Sequence, residues 1–450
     1  METITRAFEA SGTAAALPRS GAGPAVIPLS TAQRAFWDKH DGDSDSAGVI
    51  VGLSLDILAD VDPELFRAAV QAMIDQADAL RTSFIVVNDV RMQVIAERVP
   101  ARFAALDLSG PAETDESRAR TVQAWTETPF DLAVAPLMDH LIVRVGAGHW
   151  TWHTRCHHLV IDAAGAAIGI GAVLQAYVAL AAGREPELPH LGSYRDHLEA
   201  DRGYLASPQY ASDLAHWSAR HAKGSEPLFR AGEGGPRNAP PRNGTLDRTA
   251  YDALIEACRV DNVQPFHAFI AALGAIAHRA FDRTSLSIGL ATHNRASDRE
   301  RNTIGLFAGT MAFQLDLNGS ETLTELARRA SRQLRRDYRH ARLPLSHLDA
   351  ALGRNAPLFD IALSFYPAAT DIELGGATVR VRSGFFTGLD TERAAIHVRD
   401  PRGDLPLGVD LTHRPDLVRS DDIIAMYDAF VSLLTDWPRV RGTTLSDLVL

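Results

Sequence analysis

The chain has 450 residues, 46% of them hydrophobic and 22% charged, which is the composition of a folded globular protein long enough for two domains. Its formal net charge of −11 speaks against a nucleic-acid surface, and two cysteines, Cys156 and Cys258, cannot build a disulfide framework and suit a reducing cytoplasm. No stretch offers ~18 uninterrupted apolar residues and no basic-then-apolar leader opens the chain, so neither a membrane partner nor export is expected.

Residues 1–25, rich in Ala, Gly and Ser without apolar periodicity, read as a disordered lead or linker. Asp62-Pro63 supplies the cap and first-turn proline of a helix whose apolar stripe is Leu65, Phe66, Ala69, Val70, Met73 and Ile74. Residues 138–145 and 149–155 read as a strand pair, and 163–181 as a helix ended by Gly183. The Pro-broken run Arg184-Glu185-Pro186-Glu187-Leu188-Pro189 marks the expected boundary between an N-terminal lobe, 26–183, and a C-terminal lobe, 184–450. Helical segments follow over 194–222, then a Pro/Gly-rich loop over 224–243, a helix over 262–282, a strand over 285–291 and a helix over 321–341 that stops before Pro344. Strands near 376–383, 393–398 and 405–412 and a helix at 420–437 close the chain. Strands and helices thus mix in both halves, as in two α/β lobes.

The chemistry concentrates in Cys156-His157-His158-Leu159-Val160-Ile161-Asp162-Ala163-Ala164-Gly165. An imidazole titrates near physiological pH, so a positioned histidine can take a proton from an amine or alcohol and pass it on. The pair lies where a strand gives way to a helix of small residues. Asp162 admits two readings: a carboxylate that polarises His158, or a structural partner in an ion pair. Zinc binding by His153, His157, His158 and Asp162 is disfavoured, because on a strand 153 and 157 share one face and 158 points to the other.

Several segments accompany this run in a fixed order: Pro28-Leu29-Ser30-Thr31-Ala32-Gln33-Arg34-Ala35-Phe36-Trp37, Leu80-Arg81-Thr82-Ser83-Phe84, Tyr194-Arg195-Asp196-His197, Ile304-Gly305-Leu306-Phe307-Ala308-Gly309-Thr310 and Pro357-Leu358-Phe359-Asp360-Ile361. Together with His-His-x-x-x-Asp they resemble the motifs of the condensation domains of nonribosomal peptide synthesis, a superfamily related to chloramphenicol and carnitine acyltransferases. The resemblance implies two chloramphenicol-acetyltransferase-like α/β lobes in a V, with the active site on a tunnel between them. It implies amide or ester formation between an acyl or aminoacyl thioester, held on the phosphopantetheine of an acyl or peptidyl carrier protein, and a small-molecule or carrier-bound acceptor. No cofactor is bound in such an enzyme. His158 is then the residue that orients or deprotonates the acceptor, His157 is chiefly structural, and Asp162 pairs with Arg295 of Ala291-Thr292-His293-Asn294-Arg295.

The chain departs from the family pattern at two places. Ala163 stands where a glycine usually follows the aspartate, and Gly309 where the fifth motif usually has asparagine. With Gly165, these small residues are expected either to shape the substrate tunnel or to allow close helix packing. Arg328, Arg332, Arg335, Arg339 and Arg342 recur at three- and four-residue spacing. Arg332 and Arg335 in particular could meet an acidic carrier or its phosphate, and the other reading is a solvated face paired with local carboxylates. The motifs run to the end of the chain with no adenylation or carrier segment, so the chain is expected to work in trans or to derive from a larger synthetase. Two alternatives stay open: an O-acyltransferase of the same fold that uses coenzyme A or a polyketide carrier, and a non-catalytic module that recruits carriers or tailoring enzymes.

Overall fold

The computed structural model describes residues 26–40, 50–111, 113–126, 128–186, 188–224, 226–232, 234, 239–353, 357–367, 371–386, 393–400 and 405–450. The segment 1–25, read as a lead, lies outside these, as does part of the 224–243 loop. The chain divides into two compact α/β units. Unit 1 comprises residues 1–205, 295–308 and 369–389, and unit 2 comprises 206–294, 309–368 and 390–450.

That division differs from a single cut at 183/184, and long-range bonds give the reason. Asp78 accepts hydrogen bonds from the Tyr194 backbone N–H at 2.7 Å, the Ser193 hydroxyl at 2.7 Å and the Arg195 N–H at 3.1 Å, which fastens the helix Tyr194–Leu205 to unit 1. The late strand Ala377–Phe386 is likewise in unit 1, because it pairs antiparallel with Ile50–Leu58.

The main sheet of unit 1 has the strand order Ile372–Leu374, Ala377–Phe386, Ile50–Leu58, His149–His157, Met138–Gly146 and Arg102–Asp107. All neighbours are antiparallel except the last pair. On His149–His157, alternation sends Trp150, Trp152 and Cys156 into the core. Two helices cover them. Pro63–Gln76 begins at an Asp62 cap that accepts from the Glu64 and Leu65 N–H groups, and buries Phe66, Ala69, Val70, Met73 and Ile74. Its Phe66 ring meets Trp152 edge-on at 5.1 Å. The second helix, Ala163–Ala181, is apolar and long enough by composition to cross a membrane, with a mean hydropathy of 1.8, despite Gln175. It packs here as a core helix: Gly169, Ile170, Ala172, Val173, Leu174, Ala176 and Ala179 are buried, and Gly169 rests against Met73.

Unit 2 is built on a mixed sheet in the order Gly309–Asp316, Ser285–Thr292, Ile361–Pro367, Ala394–Asp400, Leu407–His413 and Arg242–Leu246. Its central helix, Pro265–Phe281, is buried from Ala268 to Ala277 and packs against the helices Leu323–Asp337 and Ser420–Val440. Phe359, from the segment Pro357–Ile361, lies directly over Gly289 of the strand Ser285–Thr292, so a Cβ at 289 would overlap its ring. Gly289→Ala should therefore lower stability by about 1–3 kcal/mol. Denaturant melts should show Phe359→Leu relieving most of that loss; an additive double variant would mean that the two positions do not press on each other.

Candidate active site

The strand His149–His157 ends at the first histidine of the pair, and a three-residue 3₁₀ turn, His158–Val160, separates it from Asp162. His157 is buried. Its N–H donates to the Leu137 carbonyl at 2.9 Å, and its Nδ1 accepts from the Leu159 N–H at 3.2 Å, capping the turn.

His158 occupies the first position of the turn. Its ring lies 4.8 Å from that of Phe36, tilted by 44°. Burial pushes its pKa down from the usual histidine value, against smaller upward effects of backbone hydrogen bonds and the Asp162 charge. A ring in this state is neutral near pH 7 and can accept a proton. The turn is held from outside by Gln33, whose Nε2 donates to the Leu159 carbonyl at 3.0 Å, while Ser30 N–H donates to Gln33 Oε1 at 2.9 Å.

Asp162 caps the helix Ala163–Ala181 and is saturated. Oδ1 accepts from the Gly165 N–H at 2.8 Å and Arg295 Nη2 at 2.9 Å. Oδ2 accepts from Arg295 Nη1 at 2.7 Å and from the Phe307 and Ala308 N–H groups, each at 3.0 Å. The ion pair is bidentate, and the side chains are 4% and 3% exposed. Arg295 also donates to the carbonyls of Glu300, Thr303 and Gly305, and its guanidinium sits 4.2 Å from the Phe307 ring centre. Burial would push the Asp162 carboxyl up, but the Arg295 guanidinium and the Gly165 and Phe307 N–H groups outweigh it and hold the pKa below the ordinary value. A carboxylate offers roughly four lone-pair sites, and these donors already occupy them. Asp162 is thus placed as a brace for the loop 295–308.

The small residues have separate surroundings. Ala163 is exposed at the first turn of its helix. Gly165 is buried, and a Cβ there would meet Ile161 at 3.0 Å and the Gly305 backbone at 3.2 Å. At Gly309, in unit 2, a Cβ would lie 2.8 Å from Asn294 Nδ2. Arg332 and Arg335 are exposed on the helix Leu323–Asp337. That helix is shorter than the expected 321–341, since a 3₁₀ turn, Tyr338–His340, follows it, and Arg339 and Arg342 fall beyond the α-helix. Among the described residues no group of three or more His, Cys, Asp or Glu is arranged to hold a metal.

Sequence reasoning missed the contacts of Phe36, Gln33 and Tyr194. Tyr194 is buried, with its hydroxyl donating to the Leu306 carbonyl at 3.0 Å and lying 3.3 Å from Ser30 Oγ. All three belong to segments singled out as motifs, so the signal was their company rather than their chemistry.

The family model of the condensation domain matches residues 24–383. The chain belongs to the condensation-domain family. Condensation domains are acyltransferases that form amide or ester bonds. The chain is 25% identical over 415 residues to a dimodular nonribosomal peptide synthase of Bacillus subtilis (strain 168), covering 90% of this chain but 17% of that protein. The starter condensation domain of rhizomide synthetase, solved as a mutant with C8-CoA, superposes with a TM-score of 0.83 at 25% identity, covering 94% of this chain and 98% of that one. The first condensation domain of the calcium-dependent antibiotic synthetase shares the fold at a TM-score of 0.82 and 20% identity, over 95% of this chain and 99% of its own. The two-lobed α/β fold expected from the motifs is therefore that of solved condensation domains.

Removing one member of the buried pair strands the other, so Asp162→Ala and Arg295→Met should each lose about 3–5 kcal/mol. The double variant should lose less than their sum, and strict additivity in thermal melts would argue against the coupling. The folded carboxyl has the depressed pKa, so its contribution is present above the ordinary carboxylate range and is lost as pH falls through the folded value. The Tm gap between wild type and Asp162→Asn should accordingly be full at pH 7 and close below about pH 4.

Proposed function

We propose that this chain joins an acyl or aminoacyl thioester, carried on the phosphopantetheine of an acyl or peptidyl carrier protein, to an amine or alcohol acceptor. The observation that carries the reading is His158: a neutral imidazole packed on Phe36, at a turn fixed by Gln33 on one side and by the Asp162–Arg295 pair on the other. The acceptor's lone pair attacks the thioester carbonyl carbon, and the C–S bond breaks with its electron pair leaving on the phosphopantetheine sulfur. The acceptor proton passes to His158 and then to the departing thiolate. A neutral amine is already a competent nucleophile and needs His158 mainly for orientation, whereas an alcohol is a poor nucleophile until it gives up its proton and needs His158 as base. Ala163, the exposed member of the small set, borders the substrate in this reading.

A second reading is favoured by one specific observation, the solved neighbour bound to C8-CoA: an acyl group delivered on coenzyme A. The two differ in the donor alone. Turnover of one acyl group presented on a phosphopantetheinylated carrier and on coenzyme A should give a much higher kcat/KM for the carrier, and equal use would transfer the assignment to the coenzyme A reading.

His158→Ala should leave Tm unchanged and reduce product formation by ~10²-fold or more. Near-wild-type turnover would falsify the role given to His158. Because burial lowers the pKa of its ring, the acid limb of the kcat/KM profile should lie below about pH 6.5, the ordinary histidine value. A limb at or above that value would mean that another group controls the reaction.

A further inference from the structure

We propose that the concavity of about 380 Å³ beside the helix Leu323–Asp337, lined by Asp261, Asn262, Arg328, Ser331, Arg332 and Arg335, binds a phosphate ester. The four- and three-residue steps from Arg328 to Arg332 to Arg335 place all three on one face of the helix, along the concavity. The negative charge in the concavity is already matched without two of them. Asp261 Oδ1 lies 2.6 Å from Arg441 Nη1 and 3.5 Å from Arg328 Nη2, its Oδ2 accepts from the Thr324 hydroxyl at 2.9 Å, and its carbonyl accepts from Arg328 Nε at 2.9 Å.

Arg332 and Arg335 are left over. Among the described residues neither lies within ion-pair distance of a carboxylate, and Arg335 reaches only the Ser331 hydroxyl, at 3.4 Å. Arg67, Arg259, Arg301 and Arg439, exposed on other helices, each close an ion pair with an acid three residues earlier, and the exposed helical Arg34, Arg120, Arg202 and Arg336 show none among the described residues; what sets Arg332 and Arg335 apart is that both line one concavity. The excess charge is felt nearby, since burial and then the Arg335 charge lower the pKa of His267 to about 4. In a chain of net charge −11, unmatched guanidinium forks in a concave site select an anion, and their planar donor geometry fits phosphate oxygens in pairs. A volume of this size takes a phosphate with part of its attached group.

The identity of the ester rests on the proposed function: it is the phosphodiester of a carrier's phosphopantetheine or the phosphates of coenzyme A. Calorimetric titration of the whole chain with inorganic pyrophosphate, coenzyme A, and one carrier protein in its apo and phosphopantetheinylated forms separates these sources. Pyrophosphate should bind wild type, and Arg332→Gln with Arg335→Gln, both at exposed positions, should weaken that binding about tenfold or more with Tm unchanged. The His267 proton resonances should titrate at higher pH when wild type is saturated with pyrophosphate, and not in the double variant. Unchanged affinity in the double variant overturns the proposal, as does a His267 titration indifferent to pyrophosphate. Equal weakening of apo and phosphopantetheinylated carrier also overturns it, because the protein surface and not the ester would then be recognised. If pyrophosphate binds as expected while no carrier or coenzyme A donor is ever turned over, the functional reading fails and the phosphate site stands.

Discussion

Burying the Asp162 carboxylate governs how this part of the chain can fold. A charge 3% exposed is tolerated only if donors surround it, and no single stretch of sequence could provide them. The donors come from its own helix, at Gly165, and from a segment more than 130 residues later, through Arg295, Phe307 and Ala308. This explains why residues 295–308 belong to unit 1 although their neighbours on both sides, up to Asn294 and from Gly309, belong to unit 2. Asp162 also returns its own N–H to the Gly305 carbonyl at 3.2 Å, and Arg295 donates to that same carbonyl, so the brace is knitted in both directions. Buried pairs of this kind add little net stability compared with apolar packing, and their chief effect is to permit one arrangement.

The saturation of Asp162 decides how His158 is held. In a catalytic triad a carboxylate fixes the imidazole. Here the carboxylate is consumed by the loop, and the histidine is positioned through its backbone, on a short turn, and through the face of its ring against Phe36. Burial keeps that imidazole below the usual histidine pKa, so the ring is uncharged near pH 7. The first motif contributes to this arrangement residue by residue: Ser30 positions Gln33, Gln33 holds the turn, and Thr31 is tied by two hydrogen bonds to Asp201, at 2.7 and 2.8 Å.

Local signals were legible where the cause was local. Asp62-Pro63 marked a helix start, Gly183 a helix end, and the run of small residues from Ala163 a helix whose observed bounds agree with the reading. The strand Ile50–Leu58 went unread although Val51, Leu53, Leu55 and Ile57 alternate with Gly52, Ser54 and Asp56, the period of a half-buried strand; what the sequence alone does not show is its pairing with Ala377–Phe386 and His149–His157. The compact units depart from a single boundary at 183/184 for a long-range reason: Pro186 and Pro189 do interrupt the helical pattern, yet Asp78 recruits the next helix across more than 110 residues of sequence. The Asp162–Arg295 pair was accessible only through the family resemblance, since spacing cannot announce a partner so distant.

The small residues show how one observation supports different physical meanings at different positions. Gly165 and Gly305 face each other at the start of the helix, and a side chain at 305 would overlap the Tyr194 ring, so both glycines follow from close packing around the Asp162 brace. Gly309 is another matter. Its position in the fifth motif usually carries an amide, and the amide of Asn294 stands 2.8 Å from where the first side-chain atom at 309 would be. Asn294 reaches that place from a left-handed backbone conformation, at φ 47°, which asparagine adopts more readily than most residues. An asparagine at 309 and the observed Asn294 rotamer would compete for one space. Gly309 thus leaves free the space that the Asn294 amide occupies, immediately before Arg295.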